Sequence, residues 1–422
     1  MNFEPIVRNR SADMFFLGAE SNLCIGIFYT MKEKVDGEAL AFATEQAIKR
    51  LPLFGASICM RNNGFYYANN PLPMVIQERE DAPVAGSPEM NGHLFCVYYH
   101  ANHICFTLHH SLTDGVGIVR FSETLFYYYY SRLDKTEYPS DGIRVNDEKE
   151  HPEVWADPFA KPYPLTQELV PKTPSDLKIT QGLVLPRLSE EPGMVKYRFS
   201  LPAKAFMDFV KGMETSPAVA SSLLMMRSVR SLFMDDTDPI VAKLPVDLRN
   251  RLGFSETLRN CVVMKPLLYD PQVLDGLSFK EQATILRSTL RARTTEEELK
   301  QTANGYIAFM ELIEAQGTIE QKKVFFAKGR EPDKTTFLLS YINGYRMNGY
   351  GERLLDVSTV EKEPYPKLNI FATGESFFFD FLQPFAGRRY IDALTDELKR
   401  HGFAPEIREE EIQLPEADLR SF

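Results

Sequence analysis

The sequence predicts a mixed α/β protein built as two joined halves, and three observations predict it. The chain has 422 residues, too many for one small module at roughly 150 residues per domain. Strand-like and helix-like apolar patterns alternate along its whole length. A stretch dense in proline divides it near the middle, at positions 152, 158, 162, 164, 171, 174, 186 and 192. Proline fixes φ and removes a backbone donor, so this stretch excludes long helices and central strands. The expected organisation is a first lobe over 1–165, a crossover over 166–192 and a second lobe over 193–422.

The elements follow in order. An apolar strand spans Cys24 to Tyr29, then Asp36 is placed to cap a helix bearing Leu40, Ala43, Ala47 and Leu51 at helical spacing. Leu94 to Tyr99 and Ile104 to His109 read as a hairpin joined by His100-Ala101-Asn102-His103. After Asp114 and Gly115 the pattern turns helical, from about Val116 to Leu133, with the run Tyr127 to Tyr130 packing an apolar interface. In the second half, a strand Val195 to Leu201 precedes a helix that Ser216 starts with Pro217 at its first position. Strands Ile240 to Val246 and Asn260 to Leu268 follow. Ser278 and Glu281 form a capping box ahead of Phe279, Ala283, Leu286 and Leu290. Late strands are Phe337 to Ile342, Leu368 to Thr373 and Phe377 to Phe381, and a helix from Tyr390 to His401 stops before Gly402.

Composition narrows the class. With 44% hydrophobic and 25% charged residues the chain has material for sizeable cores. A net charge of -10 without a basic run repels a phosphate backbone, so nucleic acid is not an expected partner. No apolar stretch reaches the 18 or so residues of a spanning helix, and Glu4, Arg8, Arg10 and Asp13 interrupt any signal peptide. Five scattered cysteines without a CxxC fit reduced thiols, and with them a cytoplasmic setting.

The chemistry concentrates in His109-His110-Ser111-Leu112-Thr113-Asp114-Gly115, where a strand ends and a helix begins. Strand alternation puts Ile104, Phe106, Leu108 and His110 on one side, and Cys105, Thr107 and His109 on the other. Only one of the two histidines therefore faces a given cavity. An imidazole with a pKa near 6.5 can take a proton at neutral pH and return it, which suits deprotonation of an attacking hydroxyl or amine. Asp114 is expected to brace the loop by an ion pair and Gly115 to supply backbone freedom. Five of the seven histidines lie between His93 and His110, but they do not converge as zinc requires, so no metal is expected. Gly115-Val116-Gly117 lacks the third glycine of a dinucleotide fingerprint, and no P-loop lysine pattern occurs.

The seven-residue segment resembles HHxxxDG, the signature of the chloramphenicol-acetyltransferase-like superfamily, which includes nonribosomal peptide condensation domains and alcohol acetyltransferases. Pro245-Val246-Asp247-Leu248-Arg249 and Thr257-Leu258-Arg259-Asn260 resemble the PVDLR and TLRN segments of bacterial members. Ser340-Tyr341-Ile342-Asn343-Gly344 is similar to their late strand, with one extra residue before the glycine. The DFGWG segment of the plant branch is missing.

The resemblance implies two chloramphenicol-acetyltransferase-like lobes, each an α+β two-layer sandwich, with a tunnel between them. It makes His110 the general base and His109 a structural neighbour, and pairs Asp114 with Arg249. Ser340, Asn343 and Asn260 become candidate tunnel or oxyanion contacts. The implied activity is acyl transfer from an acyl-CoA co-substrate to a small-molecule alcohol or amine, without an acyl-enzyme and without a permanently bound cofactor. Two alternatives stay open: a free-standing condensation enzyme whose donor is tethered to a separate carrier protein, and a binding homologue that keeps the fold without turnover.

Overall fold

The computed structural model describes residues 4–17, 23–145, 152–166, 179–189, 193–328, 333–342, 344–412 and 414–417. Local polar groups set its element boundaries. Asp36 accepts from the Ala39 N–H at 2.8 Å and opens the helix Gly37–Arg50. Ser216 caps Pro217–Leu232, and Ser278 and Glu281 form a complete capping box on Phe279–Arg293. The hairpin strands Phe95–His100 and His103–His109 meet through Ala101 and Asn102 alone, one residue tighter at each end than the sequence suggests. Ala101 accordingly takes a positive φ of 49°.

Among the described residues the strands form three sheets. The first lobe's five-stranded sheet runs, in spatial order, Leu354–Glu361, Cys24–Met31, His103–His109, Phe95–His100 and Gln77–Glu78. The helices Gly37–Arg50 and Gly115–Asp134 cover one face and bury Tyr29, Leu40, Phe106, Phe121, Tyr129 and Tyr130 in a common core. A small sheet of Glu4–Arg8, Gly64–Asn69 and Ser57–Arg61 stands beside it.

The second lobe's seven-stranded sheet runs Val262–Tyr269, Ile240–Asp247, Phe337–Ile342, Lys367–Ala372, Ser376–Gln383, Val195–Pro202 and Arg408–Glu411. Alternation divides its faces. Tyr197, Phe199, Phe379, Phe381 and Leu368 pack under helices with Val219, Leu286 and Leu394. Ser340, Asn369, Asp380 and Arg198 stand in register across the other face. Phe371 and Phe378 of that face join the first lobe's core, so the two lobes share packed apolar surface.

One strand departs from the sequence-based division. Leu354–Glu361 lies within the stretch assigned to the second lobe, yet pairs antiparallel with Cys24–Met31 and forms an edge of the first sheet. Val357 sinks into the first core, while the Thr359 N–H donates to Asp380 Oδ2 of the second sheet at 2.8 Å. Arg198 pairs with Asp356, and Lys196 donates to Ser358 Oγ at 2.8 Å. The strand thus satisfies partners on both lobes, which its interrupted apolar pattern did not advertise.

The proline-dense stretch begins, ahead of the expected crossover, with a short turn, Pro152–Trp155, and already reaches the second lobe at Tyr163, whose N–H donates to Asn304 Oδ1 at 2.7 Å. Helices Ala203–Gly212, Glu296–Glu314 and Ile319–Lys328 are among the elements that the sequence reading does not name. The five cysteines are thiols, four of them buried. Among the described residues no helix is long and apolar enough to cross a membrane.

Candidate active site

The strand His103–His109 delivers both histidines to the edge where the lobes meet. His109 is fully buried, its Nδ1 2.7 Å from Ser111 Oγ and its ring stacked on Phe16 at 4.6 Å. His110 takes the opposite direction. Its backbone N–H donates to the Leu23 carbonyl at 2.9 Å, and its carbonyl accepts from Asn260 Nδ2 at 2.9 Å. Its ring is half-buried, stacks on Phe15 at 5.1 Å, and places Nδ1 3.0 Å from the Thr113 carbonyl oxygen.

That last contact fixes the tautomer. A carbonyl oxygen only accepts, so Nδ1 carries the hydrogen and Nε2 keeps the lone pair. Burial holds the imidazole below its usual pKa of 6.5, with Lys367 adding to the effect and the Glu361 and Asp114 carboxylates opposing it. His110 is therefore neutral at pH 7, with a basic nitrogen in a fixed direction. If it is the reacting base, kcat/KM stays level through pH 7 and falls only below pH 6.5, where Nε2 becomes protonated; a pH–rate profile with an acid limb at or above pH 7 would assign the titration to another group.

The loop is locked from below. Asp114 caps the helix Gly115–Asp134, its Oδ1 accepting from the Val116 and Gly117 N–H groups at 3.1 Å each. Arg249 of the second lobe grips the same carboxylate with both terminal nitrogens, at 2.9 and 3.0 Å, and the Cys261 N–H adds a bond at 2.8 Å. The guanidinium is spread further over the Thr257 and Arg259 carbonyls and Asp247. Asp114 and Arg249 are 3% and 1% exposed, so this ion pair joins the lobes in the interior. Arg259, also buried, turns instead to Asp157 at 2.8 Å.

Gly115 does not serve the backbone freedom expected of it: it is the first helical residue and takes no positive φ. A Cβ there would come to 3.2 Å from Ile342 Cδ1, so the missing side chain leaves room between the lobes. The sterically demanding glycine is Gly117, where a Cβ would sit 1.9 Å from Thr113 Oγ1 and 2.8 Å from the Leu258 carbonyl. Gly117→Ala is expected to cost about 1–3 kcal/mol through this overlap. Gly212→Ala, at a helix end with nothing within 4 Å, should change stability by less than about 0.5 kcal/mol. Urea midpoints of the two variants check the contrast.

A cavity of about 610 Å³ opens between the lobes, lined by Gly115, Val116 and Glu123 from the first and by Asp247, Ser340 and Ile342 from the second. Ser340 thus faces open space, whereas Asn260 is spent on the His110 carbonyl. Asn343 lies outside the described residues. His110 itself does not line this cavity; Gly115 brings the cavity wall to within five residues of it. The other histidines of the cluster bind separately: His93 to the Leu72 carbonyl at 3.0 Å, His100 to Glu80 at 3.3 Å, and His103 Nδ1 lies 3.2 Å from Thr30 Oγ1. Phe15, Phe16 and the buried pair Glu361–Lys367 were not singled out from the sequence, since each reaches the motif from a distant segment with no local pattern.

Compared with protein-family models and with curated proteins, the sequence matches none. Solved structures share its fold. The trichothecene 15-O-acetyltransferase TRI3 from Fusarium sporotrichioides aligns with a TM-score of 0.65 at 11% identity, over 93% of this chain and 94% of that one. TRI101 from F. graminearum, complexed with coenzyme A and T-2 mycotoxin, aligns at 0.61 and 13%, over 96% and 99%. The epimerization domain from the third module of tyrocidine synthetase B aligns at 0.64 and 12%, over 95% and 96%. The chain has the two-lobed α/β fold of these proteins.

Proposed function

We propose that this chain is an acyltransferase that moves an acyl group from acyl-CoA to an alcohol or amine held between the lobes, with His110 as general base. The observation that carries this reading is the His110 ring. It is neutral, its Nδ1–H is held by the Thr113 carbonyl, and its loop is clamped by Asp114 and Arg249. The fold it shares with an acetyltransferase and with a coenzyme A complex supports the choice of donor.

In this mechanism Nε2 takes the acceptor's proton as its oxygen or nitrogen attacks the thioester carbonyl. The tetrahedral intermediate expels the thiolate, and the imidazolium returns the proton to that sulfur. Proton transfer of this kind is worth roughly 10²–10⁴-fold. Alignment of two substrates in the cleft supplies a further share. No acyl-enzyme forms, so both substrates must be present before thiol is released.

The test follows free-thiol release from acetyl-CoA and longer acyl-CoA esters with pooled alcohols and amines. Acceptor-dependent release that disappears in His110→Ala supports the reading. No release from any acyl-CoA, combined with turnover of the same acyl group on a phosphopantetheinylated carrier, replaces the donor; no release from either leaves a binding protein.

A further inference from the structure

The crossing strand Leu354–Glu361 brings a buried carboxylate into the layer that holds His110. Glu361 lies opposite Ile25, and Ile25 lies opposite Leu108 on its other side. Leu108, Ile25 and Val357 face one core. By two-residue alternation Glu361 continues the row of Val357. His110 stands one residue past the end of the strand that carries Leu108, its N–H still bonded to the Leu23 carbonyl. Glu361 and His110 thus lie at the same end of the sheet, on chain segments separated by one neighbouring strand.

Glu361 is 3% exposed. Its Oε2 is 2.6 Å from Lys367 Nζ, and its Oε1 accepts from Asn369 Nδ2 at 2.7 Å. Lys367 also reaches Glu363 at 3.2 Å. Lys367 and Asn369 belong to the second lobe's sheet, so the group is assembled across the lobe junction. Burial alone would neutralise the carboxylate; the adjacent Lys367 and the Asn369 amide hold it below the usual range instead. A buried ion pair of this kind contributes little net stability, and apolar residues of similar size often do as well. Its position suggests another purpose. Among the charged groups that act on His110, Glu361 and Lys367 come first, and Asp114 behind them is already neutralised by Arg249.

We propose that Glu361 is a positioning residue for His110: kept ionised by Lys367 and Asn369, its carboxylate stabilises the imidazolium that forms while His110 holds the acceptor's proton. The inference rests on the general-base reading of His110. Glu361 itself takes no proton; the proton passes from acceptor to Nε2 and from Nε2 to the departing thiolate.

The experiment is a titration of the histidine ring signals of the full-length protein by NMR, with the His110 resonance assigned through His110→Gln. Glu361→Gln keeps the shape and removes the charge. The His110 midpoint is expected to fall, the acid limb of kcat/KM to move down with it, and kcat to drop roughly three- to tenfold at unchanged KM. Glu361→Asp should restore part of each. Asp380→Asn, at a buried carboxylate of the same lobe junction that is engaged by the Thr359 N–H and Arg198, should alter melting but leave the His110 midpoint in place. If Glu361→Gln does not fold, the variant Glu361→Gln with Lys367→Met removes both charges, and a smaller fall is expected.

An unchanged His110 midpoint in a folded Glu361 variant overturns the proposal, as does an equal shift in Asp380→Asn. The titration needs no substrate. A midpoint shift in a protein that transfers no acyl group therefore counts against the acyl-transfer reading and upholds the coupling between the two side chains.

Discussion

His110→Ala is expected to lower acceptor-dependent thiol release by about 10²–10⁴-fold while leaving the protein folded. The rate effect follows from removing the one nitrogen whose lone pair is fixed by the Thr113 contact. The small structural effect follows from how the loop is held. The His110 backbone carries the bonds to Leu23 and Asn260, and these survive truncation of the ring. What is lost is the Nδ1–H bond to the Thr113 carbonyl and the stack on Phe15, which lies 5.1 Å away and is itself half-buried. Circular dichroism and melting of the variant, run beside the thiol assay, check both halves. Residual activity within a few-fold of wild type would remove His110 from the chemistry.

Asp114→Ala is expected to cost about 3–5 kcal/mol of stability and most of the activity together. The carboxylate receives two helix N–H groups, two guanidinium nitrogens and the Cys261 N–H. Its removal leaves Arg249 buried with its charge met only by Asp247 and carbonyl dipoles. Loss of the cap at Gly115–Asp134 adds about 1 kcal/mol to the same account. Asp114→Asn, which retains an acceptor for the cap, should fall between. Chemical denaturation with a rate measurement on the folded fraction separates the two effects. Wild-type stability with abolished turnover would show that Asp114 acts on the reaction rather than on the loop.

The sequence made local features legible and long-range ones obscure. Caps at Asp36, Ser216 and Ser278, and the strand-to-helix change at Asp114, are decided by neighbouring residues, and they occur where the sequence places them. The strand Leu354–Glu361 was invisible because Asp356, Ser358, Thr359 and Glu361 break its apolar pattern. Their partners, Arg198, Lys196, Asp380 and Lys367, come from other strands that no local window contains. The site divides in the same way. The histidine motif and Arg249 could be named through a resemblance, whereas the aromatic rings of Phe15 and Phe16 over the histidines depend on where the first helix lands. Gly115 misled for a related reason: a glycine reads as torsional freedom, but here its value is the space it leaves against Ile342.

The strand exchange also sets a schedule for synthesis. Cys24–Met31 emerges from the ribosome early, but its edge partner Leu354–Glu361 follows roughly 330 residues later, a wait of roughly 20–60 s at 5–20 residues per second. Until then the first sheet exposes a row of unpaired backbone groups on an apolar strand, which invites pairing with another nascent chain. A nascent chain stopped before residue 354 is therefore the vulnerable species, and chaperone demand should peak there and fall once the late strand docks.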